Sequence, residues 1–186
     1  SDCSNSGAVV SVSGEDAGGI AATAQGRLYR CINRGSVEGA ARCGGITGDH
    51  AGERIEGCLK HGDISGTYAA GIAVNAQGLV VNSLNHGQVF GLYAGGIVED
   101  LYENGVVRNC ANHGESLGFS SAGGVVRYVE TGALLENCFS AGTVMGEAGK
   151  AGGLAYRNEG VVTGSYWKVT GVEPFNTPAV ASNYAT

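Results

Sequence analysis

Short apolar segments recur along the chain at a nearly constant interval, and glycine-rich corners separate them. A small residue, a glycine and an aliphatic residue form an element that occurs six times, with its second glycine at Gly19, Gly45, Gly71, Gly96, Gly124 and Gly153. These glycines lie 26, 26, 25, 28 and 29 residues apart. A regular interval of this size is typical of stacked repeats.

Two further elements share the interval. A small residue with a turn glycine four positions later recurs at Cys3, Cys31, Cys58, Ser83, Cys110 and Cys138. A glycine followed by apolar residues recurs at Gly26, Gly78, Gly105 and Gly160, and with a one-residue slip at Gly52 and Gly132. The segments are too short for helices and rich in Val and Ile, so each repeat is predicted to hold three strands. At the corners, glycine supplies the positive φ that sharp bends require.

Stacking these coils in parallel would bury the apolar positions of each coil on the next. The pattern therefore predicts an all-β fold, a three-sided parallel β-solenoid of about six to seven coils with a ~26-residue repeat. The solenoid is expected to occupy residues 1–170. Residues 171–186 contain both prolines and are expected to form an irregular tail or a linker.

Composition narrows the range of partners. The net charge of -6 lacks the basic footprint of a nucleic-acid-binding protein, and no apolar run reaches the roughly 18 residues of a membrane span. We therefore expect neither nucleic-acid binding nor membrane insertion. The first residues do not resemble a signal peptide, and the chain begins within a repeat. We expect it to be a piece of a larger protein.

The repeated pattern resembles the GLUG repeat family. A clear example runs from Gly71-Ile72 through Gly78 to Asn82-Ser83, with Gly87 and Val89 after it. The stretch from Gly153 through Gly160 to Trp167 looks like the form that such arrays take at their end. The resemblance implies a β-solenoid segment of a large bacterial protein that is secreted or on the cell surface, since adhesins and IgA-specific metallopeptidases carry such repeats. It implies no catalytic residue, and departures such as Ser116 in place of valine affect only the corners.

The cysteines stand where the repeat requires a small residue. Five share one ladder position with Ser83 and Ser165, and Cys43 stands where other repeats have alanine. Free cysteine packs as a small apolar side chain, so we expect a buried ladder of thiols; disulfides between adjacent coils are the alternative. Three asparagines that precede this ladder are expected to bond along the stack in a left-handed backbone conformation: Asn82, Asn109 and Asn137.

Three histidines, His61, His86 and His113, precede the turn glycine in consecutive repeats. Stacked imidazoles can hold a transition metal, but no carboxylate or thiolate accompanies them in register. We favour an exposed corner, with no metal and no cofactor. If the rings stack closely, mutual repulsion should disfavour their protonation.

Two groups of residues could form a binding face. In five of the six repeats a polar residue lies four positions after the second glycine, which makes a stripe of Asp49, Asn75, Asp100, Tyr128 and Arg157, with Glu99 and Arg127 beside it. Such a stripe could bind calcium or a sugar, or form a solvated edge. Tyr68 and Tyr93 occupy equivalent positions in neighbouring repeats and could stack a sugar or anchor a protein. Ordinary packing between the coils explains the pair equally well.

These features lead to three hypotheses. The first is a non-catalytic stalk or adhesion module that presents Tyr68, Tyr93, Asp49, Asp100 and Arg127 to a host glycan or glycoprotein, next to flanking domains of the same chain. The second is an accessory repeat region of a large secreted peptidase. The third is a carbohydrate-active β-helix that uses Asp49, Asp100 and Arg127, because such enzymes need clustered carboxylates. We expect this segment itself not to be an enzyme.

Overall fold

A computed structural model describes residues 2–168 and 180–183 of the chain. The described residues form strands, turns and bends without any helix. Every pair of neighbouring strands is parallel, and equivalent residues of successive repeats pair with each other; Asn75 pairs with Asp49 in one direction and with Asp100 in the other. The prediction of an all-β parallel β-solenoid is confirmed, with about six turns and a repeat of ~27 residues.

Each complete coil contributes to four sheets, which we number I to IV in the order in which the chain passes through them. Sheet I follows the Gly-Gly element and contains β4 (Ala21–Ala24), β9 (Thr47–His50), β13 (Ala73–Ala76), β17 (Val98–Leu101), β21 (Val126–Val129), β26 (Ala155–Asn158) and β29 (Val180–Asn183). Sheet II contains β5 (Arg27–Tyr29), β10 (Arg54–Glu56), β14 (Leu79–Val81), β18 (Val106–Arg108), β22 (Leu134–Glu136) and β27 (Val161–Thr163).

Sheet III is built from two-residue strands: β1 (Ser4–Asn5), β6 (Ile32–Asn33), β11 (Leu59–Lys60), β15 (Leu84–Asn85), β19 (Ala111–Asn112), β23 (Phe139–Ser140) and β28 (Tyr166–Trp167). Sheet IV is the widest and contains β2 (Val9–Ser11), β3 (Ala17–Gly18), β7 (Val37–Gly39), β8 (Arg42–Gly44), β12 (Ile64–Ala70), β16 (Val89–Gly95), β20 (Ser116–Gly123), β24 (Val144–Met145) and β25 (Ala151–Gly152). The expected three strands per coil omitted sheet III, because two residues give no periodic signal.

Two apolar clusters fill the interior. The larger one combines the aliphatic residue of the Gly-Gly element with the thiol ladder and the inward side chains of sheet II; Ile72, Ile97 and Val107 are its fully buried members in the central coils. The smaller one lies behind sheet IV, where Ile64 and Val89 pack with alanines such as Ala94. Burial of both clusters by stacking is the main stabilising contribution that this fold offers.

An interior polar ladder, formed by Asn33, Lys60, Asn85, Asn112 and Ser140, is buried within the solenoid. The Oδ1 atom of Asn112 accepts a hydrogen bond from the Gly114 N–H at 3.2 Å, and its Nδ2 donates to the Gly124 carbonyl at 2.9 Å. Asn85 donates to Asn112 along the ladder at 2.8 Å. These asparagines satisfy backbone groups at the corner, as buried polar atoms must be satisfied.

The Gly-Gly corners differ from the expectation of positive φ. The residues with positive φ include Asn82, Asn109 and Asn137 at 51°, 52° and 51°, which confirms the expected left-handed asparagines, but no glycine of the Gly-Gly pairs. At Gly96 the requirement is space instead. A Cβ placed there would lie 2.0 Å from the carbonyl oxygen of Gly124 in the next coil. Glycine is needed at this corner because successive backbones approach each other closely.

The C-terminal end contains one strand that the sequence did not predict. Within the segment 171–186, expected to be an irregular tail or linker, Val180–Asn183 form β29 and pair with β26. The rest of that segment lies outside the described residues. On the coil before it, the ring of Trp167 takes the interior ladder position next to Ser140 and packs against the larger cluster.

Candidate functional site

Sheet IV positions the two tyrosines on adjacent strands. Tyr68 on β12 pairs in register with Tyr93 on β16. Their rings are stacked, with centroids 5.1 Å apart and an angle of 22° between their planes. Tyr68 is 39% exposed. The predicted alignment of this pair is therefore confirmed, and part of it is open to solvent.

The polar stripe lies on sheet I, as its spacing predicted. Asp49, Asn75 and Asp100 pair in register, and Tyr128 and Arg157 continue the row. Asn75 donates a hydrogen bond from Nδ2 to Oδ1 of Asp49 at 3.0 Å. Because Asn75 separates them, Asp49 and Asp100 lie two coils apart.

Arg127 joins the stripe to the tyrosines. Its guanidinium forms ion pairs with Glu99 and with Asp100, the latter at 3.1 Å. The same guanidinium carbon lies 5.1 Å from the centre of the Tyr93 ring, in cation–π geometry. Tyr93 thus lies between Tyr68 on the preceding coil and Arg127 on the next. The structure brings together two features that the sequence placed separately; we call these five residues, Tyr68, Tyr93, Glu99, Asp100 and Arg127, the seam.

The seam owes its geometry to the bend at Gly95-Gly96. The chain leaves β16 in sheet IV, turns there, and enters β17 in sheet I. Side chains just after this bend lie near those just before it, and Arg127, which is one coil further along at the position of Glu99, reaches Tyr93 across the bend. Nearby, Arg42, which is in register with Tyr68, forms two hydrogen bonds of 2.8 Å with Asp16 on the preceding coil; both of these side chains precede the Gly-Gly bends of their coils.

The carboxyl groups of the seam are not equivalent. Glu99 is 1% exposed; burial raises its pKa, and Arg127 opposes that shift. Burial also raises the pKa of Asp100, again against the effect of Arg127, but its side chain is 20% exposed. Sequence reasoning placed Glu99 beside the stripe without recognising its burial. The signal for burial in the sequence is its ladder position, because Glu99 shares that position with the apolar Val74 as well as with Arg127.

The histidine row is stacked but does not enclose a site. The rings of His61, His86 and His113 are 5.2 Å apart at each step, and their planes differ by 7° and 16°. Imidazole lone pairs lie in the ring plane, so parallel rings direct them alongside one another and not toward a common point. Over residues 2–168, no group of three or more His, Cys, Asp or Glu side chains is placed to hold a metal ion. Burial and both neighbouring imidazoles lower the pKa of His86, as stacking predicted.

The cysteines pack as the ladder predicted. Cys31, Cys58, Cys110 and Cys138 are buried in the larger cluster and Cys43 in the smaller one. These five are thiols in the structure, whereas Cys3 is exposed on the first coil. Burial raises the pKa of Cys43 to about 11, so the thiolate needed for reaction is suppressed there.

Comparison with known proteins finds no family model, no curated protein and no solved structure that matches this chain. The GLUG resemblance therefore stays a prediction from the repeat motif. None of the described segments is a helix of the length and apolar character needed to cross a membrane.

Proposed function

We propose that this solenoid is a non-catalytic recognition module that binds a glycan at the seam, within a larger secreted or surface-anchored bacterial protein. The observation that carries the proposal is the convergence of two stacked, partly exposed tyrosines with Arg127 and Asp100. The bacterial and extracellular setting derives from the resemblance to GLUG repeats.

The chemistry of the seam supports a sugar as the ligand. Tyrosine offers an apolar ring and a hydroxyl group in one side chain, which suits a ligand that has C–H groups and hydroxyls. Because Tyr93 is covered on its two faces by Tyr68 and Arg127, a ligand would reach the ring edges and the phenol hydroxyls. Asp100 can accept hydrogen bonds from sugar hydroxyls and Arg127 can donate them.

The scaffold supports presentation without internal motion. Backbone hydrogen bonds connect every coil to its neighbours, and interior asparagines fix the corners. Binding groups on such a frame lose little conformational freedom when a ligand binds, which favours affinity. The same frame would serve as a spacer between flanking domains, as the stalk hypothesis requires.

A glycan array tests the proposal. The wild-type chain should bind a defined set of glycans, and the double variant Tyr68→Ala with Tyr93→Ala should lose at least about tenfold in affinity, or about 1.4 kcal/mol. The control is the triple variant His61→Ala, His86→Ala and His113→Ala, which removes a ring stack of the same spacing from another face. Equal loss in both variants, or a blank array with folded protein, would contradict the proposal.

A further inference from the structure

A second concave feature lies at the start of sheet IV. It is a groove of about 300 Å³, and its walls include the side chains of Ser36, Glu38, Asp63, Ser65, Gln88 and Phe90. The groove crosses three coils. It contains neither tyrosine of the seam, and no sequence motif pointed to it.

Side-chain size along one ladder creates the groove. Glu38, Ser65 and Phe90 pair in register on β7, β12 and β16. The small Ser65 stands between a long carboxylate and a phenyl ring, so the row has a gap at its middle coil. Phe90 forms one wall; it is 38% exposed and packs against the edge of Phe119, with ring centroids 5.1 Å apart. A bulge between β16 and β20 inserts the extra residue that brings Phe119 there.

The two carboxylates of the groove, on Glu38 and Asp63, are acceptors, whereas the serine hydroxyls and the Gln88 amide can also donate. Asp63 accepts one hydrogen bond at Oδ1 from the Gln88 backbone N–H, at 3.0 Å. Across residues 2–168 the structure gives the Glu38 carboxylate no hydrogen bond and no ion pair. The side chain of Lys60 lies next to the groove, but it is buried and its amine donates to the Gln88 carbonyl at 3.2 Å. An open aromatic wall opposite free carboxylate oxygens suits a sugar ring with an apolar face and hydroxyl donors.

Charge restricts the class of sugar. The acidic side chains of Glu38 and Asp63 both line the groove, and the whole chain carries a net charge of -6. A uronic acid or a sulfated sugar would place a third negative charge beside them, which is unfavourable in a partly desolvated groove. A neutral sugar avoids this repulsion.

The groove and the seam lie on the same strands. Phe90 and Tyr93 are both on β16, and Ser65 and Tyr68 are both on β12. Regular alternation would place residues three apart on opposite faces of a strand. Phe90 and Tyr68 are nevertheless both exposed, and the in-register pairing of β12 with β16 is interrupted at Thr67 and Leu92, between the groove and the tyrosines. Three residues of backbone span at most roughly 10 Å, so one ligand longer than a single sugar can reach both features. We infer that the groove and the seam are two subsites for one extended, neutral glycan chain that lies across sheet IV. This inference rests on the proposed function of the seam.

Dependence on chain length tests the inference. Calorimetric titrations would use β-1,4-linked glucose and N-acetylglucosamine oligomers of one to six units, and any series that the array identifies. An oligogalacturonide series of the same lengths is the acidic comparison. For the neutral series that binds, we expect at least a tenfold gain in affinity between the shortest and the longest oligomers, because the long ones occupy both subsites. Acidic oligomers should bind at least tenfold more weakly than neutral ones.

Substitutions in the groove test whether the groove causes the gain in affinity with oligomer length. Phe90→Ala should abolish the gain of long oligomers, while short oligomers should still bind at the seam. Phe139→Ala is the matched control, since Phe139 is 37% exposed on sheet III, away from the groove. Ser65→Trp fills the gap without removing Phe90 and should have the same effect as Phe90→Ala. Because the two substitutions act at different residues, agreement between them would show that the effect does not come from a folding defect in one variant.

The outcomes separate the two proposals. Two results would overturn the two-subsite inference and leave the seam proposal standing. One is that affinity does not increase with oligomer length although short oligomers bind. The other is that the increase survives both Phe90→Ala and Ser65→Trp. Preferential binding of the acidic series would overturn the neutral class. Absence of binding to every series would remove the seam proposal and the inference together.

Discussion

The interior polar ladder and the seam both place polar side chains in register on successive coils, yet they use them differently. In the interior ladder the asparagines bond to backbone groups as well as to one another; the oxygen and the nitrogen of the Asn112 amide both reach the backbone. In the seam the side chains bond to one another, and Asp100 and Tyr68 keep part of their surface exposed. A ladder bonded to its own backbone stabilises the coil, whereas a ladder with free surface can bind a ligand. Changes in the first should alter stability and changes in the second should alter binding.

Lys60 interrupts the row of asparagines in the interior ladder, and replacing it should give the largest change in stability. It replaces asparagine between Asn33 and Asn85, and burial lowers its pKa from 10.5 to about 7, with Asp63 opposing the shift. The unfolded chain therefore binds more protons between these two pH values, so stability should rise as pH increases from about 7 to about 10.5. Lys60→Asn should stabilise the protein at pH 7 by on the order of 4 kcal/mol.

Urea unfolding at pH 7 and pH 10.5 would measure this difference, with Lys60→Met as the second variant. The gain from either substitution should shrink at the higher pH, where Lys60 is neutral in the folded state and about half of it is neutral in the unfolded chain. If the wild type and the variant differ in stability by the same amount at both pH values, burial does not lower the pKa of Lys60. Glycan binding should not change in either variant.

Arg127 is expected to affect both stability and binding. Arg127→Ala would leave the buried Glu99 without its counter-ion, which should cost about 3 kcal/mol in the free energy of unfolding. The control is Arg157→Ala, whose ion pair with Glu159 involves a side chain that is 45% exposed; such a pair contributes less than about 1 kcal/mol. Adding Glu99→Gln to Arg127→Ala should restore most of the stability but not the binding. Equal losses in the Arg127 and Arg157 variants would contradict this role.

Replacing Asn112 tests whether the interior ladder contributes to stability and not to binding. Asn112→Ala would leave the Gly114 N–H and the Gly124 carbonyl without their partners, at a cost of about 2 kcal/mol. Binding at the seam should be unaffected once the variant is folded. Gln77→Ala, an exposed change on a nearby corner, should alter stability by less than about 0.5 kcal/mol. A loss of affinity in Asn112→Ala at full folding would show that the two ladders are coupled.

The tyrosine pair should have the smallest effect on stability. Tyr68→Ala with Tyr93→Ala removes a partly exposed stack, which contributes about 1 kcal/mol beyond burial. Thermal unfolding would measure this change, while the array measures the loss of affinity. A double variant that unfolds at room temperature would mean that the rings are structural and that their loss of binding is indirect.

Much of this architecture can be predicted from the sequence, because stacked repeats place equivalent residues of successive repeats in register. The repeat interval alone aligned Tyr68 with Tyr93 and Asp49 with Asp100, and the structure confirms both rows. Two-residue strands such as β15 could not be predicted, since they are too short for a period. The need for glycine at position 96 could not be predicted for another reason. It arises from the close approach of the next coil and not from the local backbone conformation.

The convergence at the seam could not be predicted either. The angle of the chain at Gly95-Gly96 decides whether Arg127 faces Tyr93, and that angle depends on how sheets I and IV pack. Burial of Glu99 follows from the same packing. In the case of Lys60 the sequence does carry a signal, because Asn33 and Asn85 occupy its position in the neighbouring repeats.

Nuclear magnetic resonance gives the most direct test of where a ligand binds. A neutral six-unit oligosaccharide would be titrated into isotopically labelled chain while backbone amide and tyrosine ring signals are followed. We predict shifts concentrated at Tyr68, Tyr93, Asp100 and Arg127, with the histidine row unchanged. Shifts confined to His61, His86 and His113, or no shifts at saturating ligand, would contradict a glycan site at the seam.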